Sequence, residues 1–189
     1  MIELRDLAPS DADLLYAWRQ TPEVGRWMSD ADFPSEADHR LWFNRLQSDA
    51  GKRGWMITRD GQASGLLTLT SMGNPHRRAQ WNWFLGDAEA RGRGVGRAAQ
   101  VLGLDRAFGE MRLHKVFAAV MADNDAALKA QSGAGFRREG YLPEHVLKDG
   151  QPRDIVLLGM TAALWRELAP KVRAPLIAAR MISDEIPAS

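Results

Sequence analysis

The stretch Glu89–Arg97, Glu-Ala-Arg-Gly-Arg-Gly-Val-Gly-Arg, carries the residues best suited to hold an anion. Glycine lets a ligand approach the main chain without a Cβ in the way. Apolar residues follow at steps of three or four (Ala98, Val101, Leu104, Phe108, Met111), which predicts a helix opening at this loop. The first amides of a helix lack intrahelical partners and sit at the positive end of its dipole, so they favour phosphate. Spacing excludes two common phosphate loops. The second glycine of a Walker loop would fall on Arg97 or Ala99, and a dinucleotide fingerprint starting at Gly92 needs glycine where Arg97 stands. Two readings remain for Arg91-x-x-Gly94-x-Gly96: a phosphate cradle, or a glycine-rich surface turn ahead of an ordinary helix.

The elements that must position this loop come from periodicity and punctuation. Ile2–Leu7 alternates as a half-buried strand does, and Ser10 and Ser35 are expected to cap helices over about 11–20 and 36–48. Pro22 is expected to end the first helix. Trp55–Arg59 and Gly65–Ser71 read as strands joined through Asp60-Gly61, followed by the strand Ala79–Leu85, with Trp81 and Trp83 on one face and Asn82 on the other. After the glycine loop and its helix come the strand Lys115–Val120, a short helix begun by Asp123-Asn124-Asp125, and two strands, about Phe136–Leu147 and Arg153–Met160, around Lys148-Asp149-Gly150. Thr161–Leu168 reads as helical, Pro170 and Pro175 are expected to break the chain beyond it, and Arg180–Ser189 is expected to fray. The order is βααβββαβαββ. A single α/β domain over 1–168 with a C-terminal tail, 169–189, is expected.

Composition narrows the partners. The chain has 189 residues, 45% of them apolar, enough for one core and short for two. A formal net charge of +1 gives no argument for nucleic acid. With no cysteine there is no thiolate metal site and no Cys nucleophile. No run approaches the roughly 20 apolar residues that span a bilayer, and the first residues do not form a signal peptide. A cytoplasmic protein with neither nucleic acid nor membrane as partner is expected, and a homodimer stays open.

Arg91-x-x-Gly94-x-Gly96 resembles the acyl-CoA pyrophosphate loop of the GCN5-related N-acetyltransferases (GNAT), a family that uses the same element order. Asn124 in Asn-Asp-Ala-Ala, ahead of Gly135-Phe136, matches a second family motif. The resemblance covers about residues 1–160. It implies an α/β fold with a mixed, mostly antiparallel sheet of about seven strands, helices on both faces, and acetyl-CoA as co-substrate with no metal. The strands Ala79–Leu85 and Lys115–Val120 would splay apart around the pantetheine arm. Amides near Phe84, Leu85 and Gly86 would polarise the thioester. Arg91, Arg93, Gly94, Val95, Gly96 and Arg97 would hold the pyrophosphate, and Asn124, Ala127 and Gln131 would flank the arm.

The N-terminal third, with Trp18-Arg19-Gln20, Arg26-Trp27-Met28 and His39-x-x-Trp42, is similar to the branch that acetylates UDP-4-amino-4,6-dideoxy-N-acetyl-β-L-altrosamine on the way to pseudaminic acid, a step in flagellin glycosylation. That resemblance implies a nucleotide-sugar acceptor held by Arg19, Met28, Ser29, His39, Trp42 and Trp81. Single residues also have plainer readings: Trp18 and Phe43 as core, His39 as a hydrogen-bonded helix residue. An acetyltransferase of protein N-termini, of the ribosomal-protein type, and a non-catalytic acyl-CoA sensor are the alternatives.

The chain departs from the family where a tyrosine often protonates the leaving thiolate; Gln131 stands there. An amide donates a hydrogen bond but gives up no proton at neutral pH. His76 and Asp123 are the remaining candidates for a water-linked base. Orientation alone supplies about 7–11 kcal/mol in well-held reactions, so direct attack by a positioned amine is the expected mechanism.

Overall fold

The computed structural model describes residues 1–28 and 35–184. Seven strands form one sheet in the order β1-β2-β3-β4-β5-β7-β6: β1 Ile2–Asp6, β2 Arg53–Arg59, β3 Gln62–Thr70, β4 Arg78–Leu85, β5 Lys115–Met121, β6 Arg137–Lys148 and β7 Gln151–Thr161. Every neighbouring pair is antiparallel except β4–β5. The hairpin turns fall at Asp60-Gly61 and Asp149-Gly150, where both residues of each pair adopt positive φ, the geometry that two-residue hairpin loops require.

Strand alternation sends two sets of side chains to opposite faces. On one face Met56 and Leu66 pack with Ala12, Leu15 and Phe43 of helices α1 (Asp11–Gln20) and α3 (Glu36–Ser48). On the other, Trp55, Ile57, Leu67, Leu69, Trp81 and Val116 pack with α4 (Val95–Asp105) and the C-terminal helix. Ser35 caps α3 as expected, its hydroxyl oxygen accepting from the Asp38 N–H at 3.1 Å. Ser10 makes no side-chain cap bond; Asp11, in the first turn, instead reaches back to accept from the Ala8 N–H at 2.8 Å while binding Arg5 through both oxygens at 2.7 Å. Pro22 does more than end α1. It opens a one-turn helix, α2 (Pro22–Gly25), as proline does at a first helical position.

The C-terminal region differs most from expectation. After α5 (Asp125–Gly133), the helix α6 runs unbroken from Ala162 to Ala178 with Pro170 and Pro175 inside it. An interior proline costs about 3 kcal/mol, so packing must outweigh it. Both prolines are exposed, while Trp165, Val172, Arg173 and Leu176 are buried against the core. A polar network adds to this. Arg173 donates to the Asp105 carboxylate at the end of α4, the Trp165 indole N–H donates to the same carboxylate at 3.1 Å, and Arg173 also donates to the Ser183 carbonyl at 3.1 Å. Residues 180–184 do not fray either: Ile182 is buried, and the Ile2 N–H donates to the Met181 carbonyl at 2.7 Å.

Removing one partner of a buried ion pair leaves a desolvated charge and costs about 3–5 kcal/mol. Burial already pushes the Asp105 carboxyl above the ordinary carboxylate range, against the pull of Arg173 and Trp165. Arg173→Ala is therefore expected to lose several kcal/mol in urea titrations, and Asp105→Leu/Arg173→Met to lose much less. A double variant as unstable as Arg173→Ala would show that packing lost along α6, and not the orphaned carboxylate, sets the cost.

Candidate active site

The site is built where the sheet comes apart. β4 pairs with β5 only through Arg78–Lys115, Ala79–Val116 and Gln80–Phe117. Beyond these, β4 stays with β3 as far as Leu85 and β5 stays with β7 as far as Met121, so the two strands diverge into a fork. At the open end, the Gly86 and Asp87 N–H groups donate to the Ser64 carbonyl on β3, at 3.0 and 3.2 Å. Because amides alternate in direction along an antiparallel strand, Trp83 and Leu85 turn theirs into the fork. The Gly86 amide, expected to polarise a thioester, is thus already engaged; Leu85 and Trp83 supply the free edge.

The phosphate loop comes next. Asp87 caps a 3-10 turn, Ala88–Ala90, accepting from the Glu89 N–H at 2.9 Å. Gly92 and Gly94 have φ of +72° and +79°, the left-handed region that favours glycine. Gly94 caps α4, leaving the amides of Val95, Gly96 and Arg97 at the helix entrance. Gly96 itself serves packing: a Cβ there would lie 2.8 Å from the Trp83 ring. Arg91 turns inward, its guanidinium donating to the Leu85 carbonyl at 3.0 and 3.3 Å and to the Gly86 carbonyl at 3.4 Å. It braces the end of β4 rather than facing an anion. Arg93 is exposed beside Glu89 at 3.1 Å.

Across the fork, Asn124 caps α5, its side-chain oxygen accepting from the Ala127 N–H at 3.1 Å. Ala127 is half-buried, and Gln131, two turns from the cap, is buried with its Oε1 unpartnered. The two candidates for a base stand at opposite ends of the fork. His76 is exposed in the turn before β4, at the closed end of the fork. Asp123 forms an ion pair with Arg153 at 3.0 Å. His76 is thus at the wrong end of the fork, and the Asp123 carboxylate, beside Asn124 at the open end, is held by Arg153.

The acceptor side is the face of the sheet under α1 and α3, where Gln80, Asn82 and Phe84 of β4 and Phe117 and Ala119 of β5 point. Trp18 meets Phe84 edge-on at 6.5 Å between centroids and lies so close to Gly86 that a Cβ there would enter its ring. The Arg19 guanidinium lies 4.6 Å from the Trp42 ring centroid. Met28 is half-buried just after α2, and Ser29 lies outside the described residues. Two expected acceptor contacts fall away. Trp81 points to the opposite face, 5.7 Å from Phe136 beneath α4. His39 is fully buried, its Nε2–H donating to the Ala12 carbonyl at 2.8 Å and its ring packed between Tyr16 and Trp42 at 5.3 and 5.2 Å. It stands behind the wall and holds α3 to α1.

A fork between one parallel pair of strands, with a glycine loop and helix entrance at its mouth, defines an acyl-CoA acetyltransferase. The chain belongs to the acetyltransferase (GNAT) domain family, whose model matches residues 2–137, and it is an acetyl-CoA-dependent N-acetyltransferase. A spermidine N(1)-acetyltransferase of Escherichia coli (strain K12) is 24% identical over 155 residues, covering 82% of this chain and 83% of its own. An L-amino acid N-acetyltransferase of the same organism, AaaT, is 24% identical over 151 residues, covering 79% and 91%. Among solved structures, a spermidine N-acetyltransferase from Vibrio cholerae in complex with CoA and spermine superposes with a TM-score of 0.81 at 21% identity, covering 87% of this chain and 98% of its own. These relatives overturn the nucleotide-sugar acceptor. Their named substrates are polyamines and amino acids, and with the UDP-linked sugar go the pseudaminic acid and flagellin steps. Among the described residues no helix is long and apolar enough to cross a membrane.

Two measurements test this geometry. Gly94→Val forces a branched residue into left-handed backbone beside Met181, whose Cε would lie 3.1 Å from the new Cβ. Calorimetric titration is expected to show CoA affinity at least about tenfold weaker in a folded protein, and near-native affinity would remove Gly94 from the cofactor site. The second concerns His39, whose burial lowers its pKa below the ordinary value. The unfolded chain, titrating near pH ~6.5, then binds the proton first, so stability is present above that pH and is lost as pH falls through ~6.5 toward the lower folded value. Thermal midpoints of the wild type are expected to fall more steeply between about pH 7 and 5 than those of His39→Gln. Parallel curves would assign the acid sensitivity to other groups.

Proposed function

We propose that this enzyme acetylates a primary amine of a small polyamine by direct attack on acetyl-CoA held in the β4–β5 fork. The observation that carries the mechanism is the fork itself, with the Leu85 and Trp83 amides on its edge. The Leu85 N–H polarises the thioester carbonyl, and the α4 entrance takes the pyrophosphate. Asn124, its oxygen committed to the cap, meets the arm through its amide N–H. With no cysteine in the chain, the amine attacks the thioester carbonyl itself, the C–S bond breaks, and CoA leaves as thiolate. Gln131 donates a hydrogen bond to that sulfur through its Nε2, and the amine's proton passes to water.

The acceptor class rests on the relatives and on the aromatic wall. Trp18, Trp42 and Phe84 present π faces and edges beside the fork, and Arg19 over Trp42 shows a cation seated on one of them. Arg19 also favours a second reading, an amino acid acceptor, because a guanidinium fork suits an α-carboxylate. The assembly, as in the dodecameric Vibrio cholerae enzyme, is proposed to be oligomeric.

Thiol release from acetyl-CoA separates the acceptors. Turnover with spermidine and spermine is expected, and turnover only with L-amino acids would replace the first reading by the second. Arg19→Ala sharpens the test: removing a like charge is expected to leave KM for a polyamine unchanged or lower, whereas for an amino acid KM rises about tenfold or more, the worth of one charged hydrogen bond. Gln131→Ala is expected to lower kcat by about tenfold or less, matching one hydrogen bond of about 1 kcal/mol. Complete loss of turnover with CoA binding intact would make Gln131 essential to the chemistry.

A further inference from the structure

The family model matches residues only as far as 137, and the chain beyond them comes back to the glycine loop. Helix α6 ends in a reversal closed by two bonds. The Met181 N–H donates to the Leu176 carbonyl and the Arg180 N–H to the Ile177 carbonyl, both at 2.8 Å. This pairing needs left-handed backbone at the residue after the cap, a place usually given to glycine. Arg180 supplies it, with φ of +54°. Met181 is then pinned on its other side as well. Its carbonyl accepts from the Ile2 N–H at 2.7 Å, Ile182 is buried, and the Ser183 carbonyl accepts from Arg173 at 3.1 Å.

From this fixed backbone the Met181 side chain reaches the loop. Its Cε and Sδ lie 3.1 and 3.3 Å from the place that a Cβ on Gly94 would occupy. Among the described residues, chain neighbours aside, no other atom comes within 4 Å of that place. A cavity of about 320 Å³, whose walls include Arg93, Val95 and Met181, adjoins the contact. A shorter residue at 181 would therefore leave empty space beside Gly94. The conformation of Gly94 sets the entrance of α4: it caps the helix, and its carbonyl accepts from the Ala98 N–H at 3.0 Å. Glycine visits many conformations when nothing holds it. A loop that is binding-competent only part of the time loses affinity by that fraction.

We propose that Met181 is a positioning residue for acetyl-CoA, its thioether bracing Gly94 so that the α4 amides stay aimed at the pyrophosphate. The inference rests on the loop's part in holding the cofactor. Methionine suits the task, since its unbranched side chain fills irregular gaps. The brace makes a residue outside the matched family domain a determinant of cofactor affinity. It also gives the Asp105–Arg173 pair a second role, because Arg173 holds the Ser183 carbonyl two residues further on.

Met181→Ala is expected to weaken CoA binding about five- to tenfold in calorimetric titration, as for a loop competent about a fifth to a tenth of the time. In the ligand-free protein the Ala98 N–H is expected to exchange with solvent deuterium faster than in wild type. Met181→Leu, close to methionine in volume, is expected to restore both. Met181→Val, also too short to reach Gly94, repeats the measurement should alanine misfold. Ile182→Ala removes the neighbouring buried side chain, which does not touch Gly94, and is expected to lower the thermal midpoint with CoA affinity unchanged. Unchanged CoA affinity in Met181→Ala, or weakening without faster Ala98 exchange, would overturn the brace. Equal weakening by Ile182→Ala would overturn it too, by making loosening of the whole segment the cause. Gly94→Val separates this from the reading of the loop. If that variant weakens CoA and Met181→Ala does not, the loop holds the cofactor unaided; if neither does, the loop's role and the brace fall together.

Discussion

The separation of β4 from β5 is the constraint on which the rest of the structure depends. Three residue pairs hold the strands together at one end, and beyond Gln80 and Phe117 each keeps only its outer neighbour. A sheet that opens in its middle exposes backbone donors and acceptors in its interior, where a folded protein ordinarily satisfies them. Here those groups become the surface for an extended, amide-bearing ligand. The neighbouring elements keep the fork open and shaped. Arg91 clamps the Leu85 and Gly86 carbonyls, Ser64 holds the Gly86 and Asp87 amides, and Trp18 packs against Gly86 from the acceptor side.

Much of this architecture was legible in the sequence, because local rules and tertiary packing agree there. Alternation at Ile2–Leu7, the Asp-Gly turns and the Ser35 cap each specify their element with little help from distant residues. The glycine loop was legible for a mixed reason. Gly94 needs left-handed backbone, whereas Gly96 is small because Trp83 lies beneath the helix. The length of α6 was not legible, since proline rules describe the local backbone and the compensation comes from Asp105, 68 residues from Arg173. Polar residues near a motif read as ligand contacts from sequence, and Arg91 and His39 show the limit of that rule. Arg91 serves the end of β4, and His39 serves the contact between α1 and α3.

The acceptor was the least legible feature, and the reason is physical. The acceptor wall is assembled from α1, α3 and the back of β4, and its side chains are aromatic and arginine residues that suit several ligands equally. Trp42 stacks on Arg19 in this fold and would do so whether the neighbouring acceptor were a nucleotide or an amine. Trp81 shares a face with Trp83 as alternation predicts, and that face is not the acceptor side. It is the α4 face, where Trp81 belongs to the core.

The central claim is that the fork holds both substrates at once and that no acetyl group rests on the protein. Initial rates measured over a grid of acetyl-CoA and spermidine concentrations test this most directly. The account predicts double-reciprocal lines that intersect, as a ternary complex requires. Parallel lines, with labelled acetyl retained on the protein after acetyl-CoA alone, would contradict it by revealing a covalent intermediate.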